Sequence, residues 1–149
     1  MPMFKDIEAI EYRTCKSCNE KRTLLSFPKS KRKKNGGWYR RHKCNKCFYL
    51  MKKKYKHKKR ALFADYKKKL NCVDCNYSMQ THPKTFTHTA LEFHHKNNDK
   101  FHNVGNMVNR HGYAWETIKK EIKKCVVLCC RCHRERHANK KTDNAQHNN

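Results

Sequence analysis

The sequence predicts a small α+β chain whose folding rests on bound metal rather than on a large apolar core, and three observations lead there. Only 36% of the 149 residues are of hydrophobic type, too few to fill a sizeable core. Ten cysteines are present, most of them in C-x-x-C pairs. Two apolar segments, TALEFHH and CVVLC, read as strands and alternate with stretches that read as helix.

No apolar run is long enough to cross a bilayer, and the start, MPMFKDIEAI, lacks the apolar centre of a secretory signal. An intracellular, reducing location is therefore expected, and with it free thiols rather than disulfides. The pairs are Cys15/Cys18, Cys44/Cys47, Cys72/Cys75 and Cys129/Cys132. Two thiolates at this spacing reach one tetrahedral ion from a single tight turn, and two such pairs close a structural zinc site. Three combinations are possible. Closing the shortest loop joins Cys15/Cys18 to Cys44/Cys47, which leaves Cys72/Cys75 with Cys129/Cys132. The remaining Cys125 and Cys130 read as small buried residues or bystanders.

The formal net charge is +25, and two four-thiolate zinc sites, each of net −2, would leave about +21. A chain this basic seeks a polyanion. The runs KSKRKK (29–34) and KKKYKHKKR (52–60) come with neither a strong amphipathic apolar face nor a lipidation signal. Nucleic acid is thus expected as partner, and not a membrane. Lysines that merely solvate the surface would account for part of the count, but a field of this size still attracts phosphates. Lys31, Arg32, Lys33, Arg40, Arg41, Lys54 and Lys58 are the candidate contacts here.

Taken in order, residues 1–50 read as a zinc-ribbon-like module. TLLSFPKS supplies a strand, Gly36-Gly37 a turn and WYRRHKC the returning strand. Trp38 and Tyr39 can stack on bases beside Arg40 and Arg41, but covering a poorly filled ribbon core is the preferred reading. Residues 51–70 form a basic linker helix, because Phe48, Met51, Tyr55, Leu62, Tyr66 and Leu70 recur at helical spacing, with an interruption near Lys58 and Lys59. Residues 71–138 hold a knuckle at NCVDCNYS, the strand TALEFHH, a short helix at AWETIKKEIKK, the strand CVVLC and a helix over CRCHRERHANKK. Residues 139–149 read as a disordered tail.

The histidines carry the chemistry. His133 and His137 stand four apart on the last helix, hence on one face and one turn from each other. That helix starts at the knuckle Cys129/Cys132, whose expected partners Cys72/Cys75 lie upstream of His94 and His95. The zinc site thereby draws all four histidines together. As neighbours on a strand, His94 and His95 point to opposite faces, so His94 can meet the helix carrying His133 and His137.

With C-x-x-C at 72–75, LEFHH at 91–95 and KCVVLCCRCHRERH at 124–137, the second half of the chain resembles the HNH endonucleases, of the ββα-metal type pinned by a four-cysteine zinc site. The N-terminal pairs resemble the zinc ribbons attached to some viral and phage members, for which homing, restriction and packaging are possible settings in the cytoplasm, nucleus or infected host cell. The resemblance implies that His95 is a general base and that His94, His133 and His137 hold one divalent ion. It also implies DNA as substrate, with 5′-phosphate and 3′-hydroxyl products. Magnesium is the implied ion, while three imidazoles suit manganese, nickel or zinc as well. Arg134 and Arg136 are candidates for clamping a neighbouring phosphate. Where the family has an asparagine that orients the base, this sequence has Lys124; Asn97, Asn98, Asn103, Asn106, Asn109 or a backbone carbonyl can take its place. Lys124 favours the rival reading, a noncatalytic zinc-dependent nucleic-acid-binding protein, whereas the HH and CH-x-x-x-H set favours the enzyme.

Overall fold

The computed structural model describes residues 11–110 and 112–146, with side chains as far as residue 139. It is a small α+β structure in two compact units, residues 1–55 and 56–149.

In the first unit, β1 (Tyr12–Thr14) and β2 (Lys21–Thr23) pair antiparallel around the first knuckle. β3 (Lys29–Arg32) and β4 (Trp38–Arg40) form a second antiparallel pair. Its turn uses Gly36 and Gly37 at φ +87° and +74°, a region open to glycine at little steric cost. The core consists of Phe27 packed on Cys15, Cys44, Cys18 and Cys47. Among the described residues, one phenylalanine with four cysteines is too little apolar surface to hold a fold, which is the expected sign of a metal-dependent unit.

Two expectations for this unit are corrected. Leu24–Ser26 is a turn of 3-10 helix rather than strand; the first strands lie upstream, flanking the knuckle. Trp38 and Tyr39 do not cover the core. They are 44% and 54% exposed, and among the described residues it is Phe27 that occupies the space between the cysteines.

Helix α1 (Asn45–Lys67) begins six residues before the expected linker helix, inside the second knuckle, and takes up Cys47. Lys59 does not interrupt it. Lys59, Phe63 and Lys67 recur every four residues as the buried face of its C-terminal part. That part belongs to the second unit's core, so it is not a free linker. The Nζ of Lys59, 7% exposed, donates to the carbonyls of Met107 and Tyr113 at 3.3 and 3.4 Å. Met107 lies near the end of helix α2 (Val104–Asn109), where a cation suits the unpaired carbonyls and the helix dipole. Lys67 lies over the rings of Phe63 and Phe93 at 5.2 and 5.9 Å.

The second unit has two clusters. Phe63, Val104, Met107, Val108, Ile118 and Ile122 form one, against Phe93, Tyr113 and Trp115. Cys72, Leu91, Leu128, Cys129 and Cys132 form the other. Strand β5 (Leu91–His95) pairs antiparallel with β6 (Cys125–Cys129), with His94 opposite Val126 and His95 opposite Cys125. Between them lie α2, unforeseen in the connecting loop and capped by Asn103, and α3 (Trp115–Ile122). Helix α4 follows β6 without a gap and spans Cys130–Gln146, so residues 139–146 are helical where an irregular tail was expected. Residues 147–149 lie outside the described set.

The knuckles at Cys15–Cys18 and Cys72–Cys75 repeat one geometry. In each, the N–H of the first cysteine donates to a carbonyl five residues on, and the asparagine after the second, Asn19 or Asn76, donates back to the first cysteine's carbonyl at 2.9 Å. Asn19 and Asn76 sit at φ +57° and +58°. Asparagine is one of the few non-glycine residues that adopt this region readily. Among the described residues no helix is long and apolar enough to cross a membrane.

Candidate metal centre

Three groups of side chains converge at spacings that suit an ion: Cys15, Cys18, Cys44 and Cys47; Cys72, Cys75, Cys129 and Cys132; and His94, His133 and His137. Within each, the ligand atoms lie within 4.8 Å of one another. The two cysteine groups are the expected pairings, and each can hold a structural zinc ion. Sulfurs on one tetrahedral ion at about 2.3 Å stand roughly 3.8 Å apart, and Cys75 Sγ lies 3.6 Å from Cys129 Sγ. Cys125 and Cys130 belong to neither group; burial pushes the Cys125 thiol up to about 11.

Backbone donors prepare the sulfurs. Cys15 Sγ accepts from the N–H of Cys44 at 3.3 Å and of Ser17 at 3.4 Å. The Cys44 N–H leads in lowering the Cys15 thiol to about 6. Burial, with the other sulfurs of the group, pushes Cys47 up to about 12. The second group repeats the contrast: burial opposes ionisation of Cys72, but N–H groups of Cys129, Cys75 and Asp74 outweigh it and bring the thiol to about 7. Burial and its cysteine neighbours raise Cys132 to about 12. Four sulfurs this close cannot all ionise unaided, and a dication removes that conflict.

The cysteine group Cys72, Cys75, Cys129 and Cys132 sits where β6 turns into α4, so an ion held there would fix the helix that carries His133 and His137. The fork of Arg136 adds a second tie by grasping the Asp74 carboxylate within the knuckle. That guanidinium holds the Asp74 carboxyl below its usual range.

His94, 8% exposed, presents its ring 5.0 Å from each of the rings of His133 and His137. The Nε2 atoms of His133 and His137 are 3.2 Å apart. Two nitrogens bound to one ion at 2.0–2.1 Å are roughly 3.0–3.4 Å apart, so the donor set fits a single metal. The Nδ1 of His133 is bonded to the carboxylate of Glu92, which accepts only. Its Nδ1 therefore carries the proton, and Nε2 is the lone pair turned toward the other histidines. His137 is exposed, so the group opens to solvent on one side.

His95 lies on the other face of β5. Its Nε2 is 2.8 Å from Oε1 of Glu121 on α3. Glu121, 3% exposed, also accepts from the N–H groups of Phe101 at 2.8 Å and His102 at 3.1 Å, and pairs with Lys124 at 3.1 Å. Burial alone would raise this carboxyl, but the bonds from His102, His95, Lys124 and Phe101 outweigh it and bring it down to about 2. As an ionised acceptor it receives the hydrogen bond of the His95 Nε2–H, which leaves Nδ1 as that ring's lone pair.

Glu92 and Glu121 were missed in the sequence, and each had a signal. Glu92 stands two before His94, hence on the same strand face. Glu121 stands three after Ile118 on the apolar side of α3, where a carboxylate must find partners. None of the five candidate asparagines contacts His95 in the described hydrogen bonds. Lys124, where the resemblance implies an asparagine, pairs with Glu121 and donates to the carbonyl of Asp99 at 2.9 Å.

Of the cationic candidates, Lys31, Arg32, Lys33, Arg41, Lys54, Lys58 and Arg134 are exposed. Two are committed to the fold. Arg40 donates to the Phe27 carbonyl at 3.0 Å, and Arg136 holds Asp74, so neither is a free phosphate clamp. Compared with protein-family models, curated proteins and solved structures, the chain finds no match.

Proposed function

We propose that this protein is a metal-dependent DNA endonuclease of the HNH, ββα-metal kind, with a zinc-ribbon-like N-terminal module. One observation carries the reading: His94, His133 and His137 converge as a three-nitrogen set, while the adjacent His95 is turned to the opposite strand face and held on a buried carboxylate. A purely structural zinc site gives no reason to orient a fourth, separate imidazole on an ionised glutamate.

A divalent ion, magnesium by the resemblance, would supply charge for the developing phosphorane and the leaving 3′ oxygen. His94, His133 and His137 would hold it, with Glu92 fixing the tautomer of His133. His95 takes the proton of the attacking water at Nδ1. Glu121 keeps Nε2 protonated and stabilises the imidazolium that forms, the part played by the carboxylate in a triad. Exposed Lys31, Arg32, Lys33, Arg41, Lys54, Lys58 and Arg134 attract phosphates.

The reading is tested by incubating supercoiled plasmid with the zinc-loaded protein, with and without added magnesium or manganese. Metal-dependent relaxed or linear products support it. Intact plasmid under all these conditions, with DNA retarded in a gel, would favour a noncatalytic binder.

A further inference from the structure

Two large aromatic rings stand outside the core of a unit that has little core to fill. Trp38 and Tyr39 on β4 are exposed, while Phe27 is fully buried. They are not needed to hold the hairpin, which is pinned by Arg13 donating to the carbonyls of Arg40 and Arg41 at 3.0 and 3.3 Å, and by Arg40 donating to Phe27. Each ring is paired with a cation instead: Lys29 Nζ lies 5.5 Å from the Trp38 ring and Lys33 Nζ 5.6 Å from that of Tyr39. Both rings line a groove of about 910 Å³, with Phe48 as a third ring and Lys31, Lys33 and Lys43 on its walls. That volume is within the range of ligand sites, about 300–1,000 Å³. Among the described residues its one acidic lining residue is Glu11.

We propose that this groove binds unpaired bases of a DNA strand, which stack on Trp38 and Tyr39 while the surrounding lysines hold the phosphates. Only the choice of DNA rests on the nuclease reading. The charge calls for a polyanion, and the rings narrow it further. In a duplex each base face is covered by its neighbours, so a ring offered by the protein finds a partner only where bases are out of the stack. Lys29 and Lys33 are exposed, so their flexible side chains can leave the ring faces and follow the phosphates, keeping their charge paired in the complex. The site would direct the protein to frayed, flapped or melted DNA.

The test uses the full zinc-loaded chain without added divalent cation, so that no cleavage is read and an inactive nuclease leaves the result standing. Anisotropy is measured on a labelled oligothymidylate and on a duplex of equal length. Trp38→Ala and Tyr39→Ala should each weaken oligothymidylate binding by about 5- to 100-fold, with duplex affinity changed less than about twofold and an unchanged salt slope. Trp38→Phe should keep most of the wild-type affinity. Lys31→Gln with Lys33→Gln should lower the salt slope on oligothymidylate by about 1.4. Zinc content equal to wild type shows that a variant is folded. Equal losses on both ligands, no loss on oligothymidylate, or an unchanged slope in the lysine variant would overturn the proposal.

Discussion

The Nε2 atom of His95 lies 2.8 Å from Oε1 of Glu121, and every other described bond to that carboxylate comes from the loop after β5 or from Lys124. The carboxylate thus orients the imidazole and anchors the chain that leaves it. Glu121→Gln keeps an acceptor but removes the charge. It should lower cleavage by about 10- to 100-fold while zinc content and DNA affinity stay near wild type. Single-turnover cleavage at saturating metal checks this. A rate equal to wild type would mean that Glu121 only holds the loop.

The same carboxylate gives a pH dependence. Its folded pKa, about 2, lies below the ordinary 4.5. The unfolded chain therefore binds the proton first, and the stabilisation is complete above pH 4.5 and lost as pH falls toward 2. The stability gap between wild type and Glu121→Gln should be on the order of 3 kcal/mol at neutral pH. Urea unfolding at several pH values should show it level from pH 7 to about 4.5 and narrowing below. A gap that widens on acidification would contradict the assignment.

Zinc content should report the two units separately. Wild type should hold about two tightly bound zinc ions per chain. Cys72→Ser should lose one and unfold the C-terminal unit, including the histidine set, while Cys15→Ser should lose the other and spare it. Elemental analysis with circular dichroism distinguishes these. Wild-type protein without zinc, or with disulfides in place of free thiols, would contradict the account.

Lysines in the run 52–60 divide by burial. Lys53, Lys54, Lys56 and Lys58 are exposed, whereas Lys59 is buried on two carbonyls. Replacing the first four by glutamine should reduce the slope of log affinity against log salt by roughly 3 to 4. Lys59→Gln should instead lower stability and leave the slope alone. A fourfold variant with the wild-type slope would mean that those lysines face only solvent.

Much of this was legible because the cysteine and histidine spacings are short-range and chemically narrow. The C-x-x-C elements follow from spacing and their pairing from the shortest loop, the strands around LEFHH and CVVLC from their apolar residues, and the helix bearing His133 and His137 from the absence of Gly and Pro after Cys129. What was hidden depends on tertiary partners. Lys59 and Lys67 look like surface charge until the carbonyls of Met107 and Tyr113 and the rings of Phe63 and Phe93 appear beside them. Trp38 and Tyr39 look like core until Phe27 is seen to fill it. Glu121 is 26 positions from His95, and no local pattern joins the two.

The central claim, that His95 is a base and the other three histidines a metal set, is tested most directly by metal titration of cleavage in two variants. With His133→Ala, weakened metal binding should let part of the activity return as the divalent ion is raised. With His95→Ala, zinc content and DNA retardation should remain normal, and no concentration of metal should restore cleavage, because the missing group is a proton acceptor. His95→Ala cleaving as fast as wild type, or recovering with metal as His133→Ala does, would contradict the account.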